Sequence, residues 1–505
     1  MSMPLLPKRQ TLALALFCAI GSAVAAPPSQ ADLVRLVEKL NQRMERLEQR
    51  NAELERELRN DRAPQASGKT PGAADVEKRV QALETRQEEV ARSLESDTIS
   101  EKEPELTARL KALESQATSA QSAARKVEAL AGVSAGLSLT TVAQKPFGVA
   151  DINSQLSYRG DAFVTLPLAK IGDVEQKVFA QFRLGQGTGL NDLPTFSKPN
   201  ASAFRVLGGL QPDDAVATLG QAWYQARIPL PLGGYKPRSK ETLEINFGKM
   251  DPFVFFDQNA VANDETRQFL NTIFVHNPLL DAGGDIGVDA NGFAPGFRLS
   301  YSNVMSKPET WRVSLGLFGA GARGSNYQRS LSSPLVMLQA ETEQRLLAGL
   351  AGTYRIYAWR NPQAAHFDRS IPDVEQHTGW GFSADQRVGD GVTLFGRYGQ
   401  QLQGHVRFDA ALTVGAEING SYWSRGGDSI GVAAGLLKTS RDYRAFSATT
   451  SAPASGVERN GEVYYRYRIN KQFELSPSVQ YIGNPGGVGS AEAVKLLALR
   501  AQITY

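Results

Sequence analysis

The last stretch of the chain alternates without a break. Leu497, Leu499, Ala501, Ile503 and Tyr505 fall on one face of an extended strand, and Ala498, Arg500, Gln502 and Thr504 fall on the other. The same period of two recurs at 156–166, 178–184, 222–228, 243–249, 297–302, 311–318, 392–400, 463–469 and 473–481. Arginine repeatedly takes the face opposite the aliphatics, as at Arg159, Arg183, Arg227, Arg298, Arg312, Arg397, Arg466, Arg468 and Arg500. One face of each strand is therefore dry and the other wet.

A different period rules the first part of the chain. Leu33, Leu40, Leu47 and Leu54 recur every seventh residue, interleaved with Val37, Met44, Asn51 and Leu58, which is the seam of a coiled coil. Asn51 at a seam position costs stability but penalises slipped registers. Pro64, Gly68, Pro71 and Gly72 break this helix, and a second run follows at Val76, Val80, Leu83, Val90 and Leu94. Beyond Pro104 a third run passes from Leu106, Leu110 and Leu113 to Ala117, Ala120 and Ala124. Such narrow seams predict self-association, a homo-oligomer, rather than a helix lying on the protein's own body. Residues 131–150, small and polar, read as a linker.

Ahead of the heptads, Lys8 and Arg9 precede an apolar run at 12–20, and Ala23-Val24-Ala25 offers a cleavage site, so residues 1–25 are expected to be a signal peptide. The run is shorter than the roughly 20 residues a spanning helix needs. Cleavage there removes Cys18, the one cysteine of the 505 residues. Four histidines without HExxH spacing, and no cysteine pair, argue against zinc or thiol enzymes, and no metal, cofactor or catalytic residue is expected. With 55 basic against 52 acidic residues the chain carries no one-signed field, so nucleic acid is not an expected partner.

The local alternation fits either a soluble sandwich, apolar face inward, or a membrane barrel, apolar face outward. An exported, strand-rich unit ending on an aromatic strand favours the second. We expect a mainly β fold, a transmembrane antiparallel β-barrel at 151–505, preceded by a coiled-coil region at 26–130 in the periplasm. At roughly 20 to 25 residues per strand and loop, about 355 residues give roughly 14 to 18 strands, enough to enclose a water-filled lumen. Tyr158, Tyr224, Tyr354 and Trp380 are candidates for the aromatic girdles.

Some strings imitate enzyme motifs. Gly132-Val133-Ser134-Ala135-Gly136 has nucleophile-elbow spacing but lacks a preceding apolar strand. Gly319 to Gly324 has dinucleotide-loop spacing but no helix after it. Asp281, Asp285, Asp289 and Asn291 form an acidic loop, which either binds calcium or is a solvated turn.

The alternation stops at Asp251-Pro252. Amides, carboxylates and phenylalanines then mix through Phe255, Phe256, Asp257, Asn259, Asn263, Asp264, Glu265 and Phe269 to Asn277 and Pro278. The segment is too polar for lipid and too aromatic for a free loop. It is expected to fold into the barrel, either narrowing the lumen or merely bracing the wall. Amides and carboxylates beside apolar rings suit a sugar, whose hydroxyls need hydrogen bonds and whose ring face stacks.

This segment, with Gly427-Asp428-Ser429-Ile430-Gly431, residues 458–465 and the run 473–487 from Phe473 to Gly487, resembles the carbohydrate-selective porin family, the glucose-porin type of Gram-negative outer membranes. The resemblance covers roughly the last 70% of the chain. It implies a 16-stranded barrel in outer-membrane lipid, conducting sugar by passive, saturable diffusion, with no reaction catalysed. Arg159, Asp161, Arg183, Trp223, Arg227 and Arg397 are the candidate wall groups, and Asp257, Asn259, Asn263, Asp264 and Glu265 those of the inward loop. The coiled coil is similar in plan to the periplasmic extension of sucrose-type porins, which implies a trimer and a possible contact with peptidoglycan or a periplasmic protein. Two other functions stay open at this point: an anion channel built on the arginines, and an envelope tether acting through the coiled coil.

Overall fold

The computed structural model describes residues 133–149, 152–205, 215–231, 240–283, 292–304, 309–321, 324–325, 327–347 and 349–505. The expected signal peptide and coiled-coil region, and most of the acidic loop at 281–291, lie outside the described residues.

Sixteen antiparallel strands close into a barrel, each paired with its neighbours in sequence. They are β1 (Ser134–Phe147), β2 (Gln155–Ile171), β3 (Val174–Gln186), β4 (Thr218–Leu230), β5 (Glu241–Met250), β6 (Ala294–Asn303), β7 (Thr310–Phe318) and β8 (Leu335–Leu347). The circuit continues through β9 (Leu350–Ala365), β10 (Val374–Gly389), β11 (Val392–Gln403), β12 (Phe408–Asn419), β13 (Ser429–Thr439), β14 (Val457–Arg468), β15 (Phe473–Gly483) and β16 (Val494–Thr504). It closes where Leu137 and Tyr505 exchange two backbone hydrogen bonds, each 2.8 Å. Closure leaves no strand edge unpaired, the condition for crossing lipid with strands.

The faces are inverted relative to a soluble protein. On β16, Leu497 and Leu499 are 50% and 49% exposed, while Arg500, between Leu499 and Ala501, is 1% exposed. Leu156, Phe182, Ile356, Leu412 and Val479 repeat the outward pattern, and Arg159, Arg298 and Arg397 are buried inside. The outer wall is therefore an apolar band and the lumen holds the charge.

One boundary is corrected. Residues 131–150 are not a linker: β1 occupies 134–147, with Leu137 and Leu139 outward and Thr140, Val142 and Gln144 buried inward. Its inward residues are small and polar because they face other chain segments inside the barrel; Gln144 accepts a hydrogen bond from Asn200 Nδ2 at 3.0 Å. The elbow-like string consequently runs into a strand, with Ser134 its first residue.

One rim carries short turns, such as Gly172-Asp173 and Asp390-Gly391, and the other carries the long connections 187–217 and 251–293. In outer-membrane barrels the short turns face the periplasm. The described parts of the long connections, 187–205 and 251–283, fold inward. The wall is cut to receive them: a Cβ on Gly399 would lie 2.4 Å from Asn277 Oδ1, and one on Gly435 2.6 Å from Ile273 Cδ1. Glycine is needed where a loop approaches that closely.

Candidate functional site

The inward loop after β5 starts with a cap. Asp251 accepts a hydrogen bond from Phe253 N (2.9 Å), fixing the turn Pro252–Val254 and turning the chain into the lumen. Asp257 then takes a left-handed backbone, φ 53°. Its conformation is fixed from all sides. Oδ1 accepts from Tyr357 Oη at 2.9 Å and from Arg397 Nε at 3.1 Å, Oδ2 accepts from Asn277 N at 2.6 Å, and Asp257 N donates to Gln339 Oε1 at 2.9 Å. Arg397 also reaches Phe274 O (2.8 Å) and Asp257 O (3.1 Å). Beside this anchor His276 stacks on Phe253, centroids 3.8 Å apart, and burial pushes the imidazole down to about 3, so it is neutral.

Asp257 and Arg397 are therefore corrected from lumen-lining groups to a sealed anchor, with side chains 0% and 1% exposed. Asn259 is also an anchor: its Nδ2 donates to Ala384 O (3.1 Å) on β10, and its Oδ1 accepts from Val261 N (3.2 Å). The tip beyond it is half-buried. Asp264 Oδ1 accepts from Thr266 N and Oγ1 (2.9 and 2.6 Å), Gln268 Oε1 accepts from Asn263 N and Asp264 N (2.7 and 2.9 Å), and Glu265 Oε1 meets Arg159 Nη1 at 2.6 Å. Thus the first half of the loop braces the wall, and the tip is tied to it as well, by Glu265 to Arg159 and by Arg267 to Glu474 (2.6 Å).

Two glutamates on β14 clamp the returning chains. Glu462 accepts from Leu270 N (2.8 Å) and Asn271 N (2.9 Å). Four residues earlier, on the same inner face, Glu458 accepts from Phe196 N (2.6 Å), Ser197 N (2.9 Å) and Gly486 N (2.7 Å). The second clamp holds the connection between β3 and β4, whose Pro199 O accepts from Gln480 Nε2 at 2.8 Å. The two inward loops join directly, Ala201 N to Leu270 O at 2.7 Å and Thr272 N to Lys198 O at 2.9 Å. Sequence reasoning missed this second loop. Its signal was the long interval between β3 and β4, with Phe196 and Pro199 inside it.

Facing the tip is a wall of β2, β3 and β4. Asp161 sits between two arginines, 2.9 Å from Arg159 Nε and 2.6 Å from Arg183 Nε, and also accepts from Gln181 Nε2 at 2.8 Å. The chain of hydrogen bonds passes from Gln221 Nε2 to Gln181 Oε1 (2.5 Å) and from Trp223 Nε1 to Gln221 Oε1 (3.2 Å). Trp223 stacks on Phe179 (4.9 Å, 26°) and meets Phe255 edge-on (5.5 Å, 68°), while Arg298 lies over Phe255 at 4.8 Å. Phe179 is a site group the sequence reading did not single out, and Phe255, Arg298 and Asp251, named there by their pattern, were not among its lumen candidates. Phe163, 6.4 Å from Phe179, extends the aromatic row. Arg227 lies on the same strand face as Trp223 but further toward the short-turn rim, exposed, in register with Glu175 and Glu244.

Asp251 belongs to this group electrostatically. Burial pushes its carboxyl up to about 6, against the pull of the Phe253 N–H and of Arg183 and Arg159. The lumen arginines are compensated: Arg159 and Arg183 by Asp161, Arg298 by Glu244, and Arg355 by Glu341 and Asp385. Arg500 donates to two backbone oxygens, Glu265 O at 2.9 Å and Gln268 O at 2.7 Å. Among the described residues no cluster could hold a metal ion.

A closed sixteen-stranded barrel with an apolar exterior, two loops folded into it against a charged inner wall, defines a porin. Residues 104–505 match the family model described as carbohydrate-selective porin, OprB family, and the chain belongs to that family. It is an outer-membrane porin for sugar diffusion and not an enzyme. The structure titled high pH structure of Pseudomonas putida OprB is 18% identical, covers 74% of this chain and 94% of that chain, and superposes with a TM-score of 0.58. The low-pH structure of the same protein is 17% identical, covering 74% and 93%, with a TM-score of 0.42. A mutant of the Rh. blastica porin is 8% identical, covering 74% and 100%, at 0.39. No curated protein matches the sequence.

Proposed function

We propose that sugar crosses a constriction bounded by Asp161, Arg183 and Trp223 on the wall and by Asn263 and Asp264 at the loop tip, one side of it closed by the Arg159–Glu265 pair. One face of the ring slides over Phe179, Trp223 and Phe255, while carboxylates and arginines exchange hydrogen bonds with its hydroxyls. Each contact is weak enough to break, so the solute leaves as readily as it enters. The observation that carries this reading is the pairing of lumen arginines with carboxylates beside stacked rings. Paired charges give donors and acceptors without a net field, which suits a neutral polyol better than an anion. That pairing weighs against the anion-channel alternative.

The test is liposome swelling with a panel of mono- and disaccharides of graded size. Monosaccharides are expected to enter fastest, and Trp223→Ala to weaken discrimination among isomers of equal size. Equal rates for all solutes of one size in the unaltered protein would overturn selectivity.

For the chain ahead of the barrel, Lys8-Arg9, the apolar run and Ala23-Val24-Ala25 support a signal peptide, the heptads support a self-associating periplasmic coiled coil, and the likeness in plan to sucrose-type porins supports a trimer, free to meet peptidoglycan or a periplasmic protein. Deleting residues 31–130 is expected to convert a trimer to a monomer in detergent while sugar flux persists.

A further inference from the structure

Four cations share the outer, lipid-facing side of neighbouring strands near the long-loop rim: Lys438 on β13, Arg459 on β14, Lys495 on β16 and Lys145 on β1. All four are exposed. The register makes them one belt. Lys438 is opposite Val457 and Arg459 is opposite Leu436, so the two are diagonal neighbours; Lys495 is opposite Phe147 and Lys145 is opposite Leu497, so they are diagonal too. Tyr481, opposite Lys495, fills the strand between the pairs. Five adjacent strands span about 20 Å.

A lysine or arginine on the lipid face costs roughly 2–4 kcal/mol at the bilayer midplane and almost nothing at the interface, so these positions mark the interface. Asp409 stands 3.6 Å from Lys438, and Lys145 lies over the Phe147 ring at 5.3 Å. Arg459 and Lys495 meet no carboxylate among the described residues. Below the belt the wall is apolar, and a groove of about 520 Å³ lined by Ala143, Leu156, Leu497 and Leu499 opens beside Lys145. Cations above an apolar groove match a molecule with phosphates above acyl chains.

We infer that this face binds a phosphorylated, multiply acylated saccharide lipid of the outer leaflet, its phosphates on Arg459, Lys495 and Lys145 and an acyl chain in the groove. The inference rests on the barrel lying in the outer membrane and is independent of which solute passes through it.

The test uses the full chain in neutral detergent, titrated with bisphosphorylated lipid A and with its dephosphorylated counterpart and followed by native mass spectrometry. The bisphosphorylated form is expected to bind at least about tenfold more tightly. The triple variant Lys145→Gln, Arg459→Gln, Lys495→Gln is expected to bind it about 100-fold more weakly, roughly fivefold per charge. Arg360→Gln, an exposed position on β9, should leave binding within about twofold. Should the triple variant fail to fold, Lys495→Gln alone is expected to lose about fivefold. Unchanged binding by the folded variants, or equal binding of the dephosphorylated lipid, overturns the inference. Sugar entry measured on the same variants separates the two readings, since it should survive the loss of lipid binding.

Discussion

Arg397 and Asp257 meet 3.1 Å apart with neither side chain reaching water, joining the middle of an inward loop to β11 of the wall. A buried pair of this kind is weak proof of stability while intact, yet removing one partner strands the other charge and costs about 3–5 kcal/mol. Arg397→Ala is therefore expected to free the loop as well as to destabilise the barrel. Single-channel recordings should show larger and noisier conductance, and heat-induced unfolding on gels should come at lower temperature. Unaltered conductance in a folded variant would remove the anchoring role.

Trp223, only 7% exposed, packs on the inner wall between Phe179 and Phe255. Aromatic contacts are worth about 0.5–1.5 kcal/mol beyond area burial, which converts to a roughly two- to tenfold change in half-saturation. Trp223→Ala should weaken glucose block of the ionic current by that factor while raising open-channel conductance. Trp223→Phe should recover part of the loss.

The pH response should come from Asp251, whose carboxyl ionises near pH 6 rather than near 4. Because the folded value lies above the unfolded one, this group favours the fold when protonated, and the advantage fades as pH rises through 6. Above that pH the constriction gains a negative charge. Reversal potentials in a salt gradient should shift toward cation preference between pH 5 and pH 7.5, and Asp251→Asn should flatten the step.

Glu458 and Glu462 hold different loops from one strand. Replacing either with alanine orphans at least two backbone N–H groups, at roughly 1–3 kcal/mol each. Added protease should cut Glu458→Ala within the β3–β4 connection and Glu462→Ala within residues 251–283. Cleavage of both loops in both variants would mean that the clamps are not separate.

Much of this is legible in the sequence. The inversion of faces on β16 follows from leucine at every second position with Arg500 between them, and the break at Asp251 marked the inward loop. β1 was not legible, because its inward residues are small where the chain packs on them. β13 was hidden for the same reason: Gly431, Ala433 and Gly435 alternate small residues, not polar ones, under the loop. At the site, charge and ring chemistry pointed to Arg159, Asp161 and Trp223, but nothing in the spacing tells a sealed Arg397 from the less deeply buried Arg183. Outside the inward loop, the strings that carried the family resemblance turn out to be scaffolding. Glu458 and Glu462 are clamps, and Asp428 ties Arg425 Nε (2.6 Å) to Tyr465 Oη (2.5 Å) near the short-turn rim.

The central claim is that a charge-compensated, ring-lined constriction passes a neutral sugar in preference to an anion of the same size. Swelling rates of proteoliposomes in glucose and in gluconate, at matched osmolarity and pH 7.5, measure it most directly. The account predicts that glucose enters clearly faster and that Trp223→Ala narrows the difference. Faster entry of gluconate would contradict it and return the arginines to the role of an anion ladder.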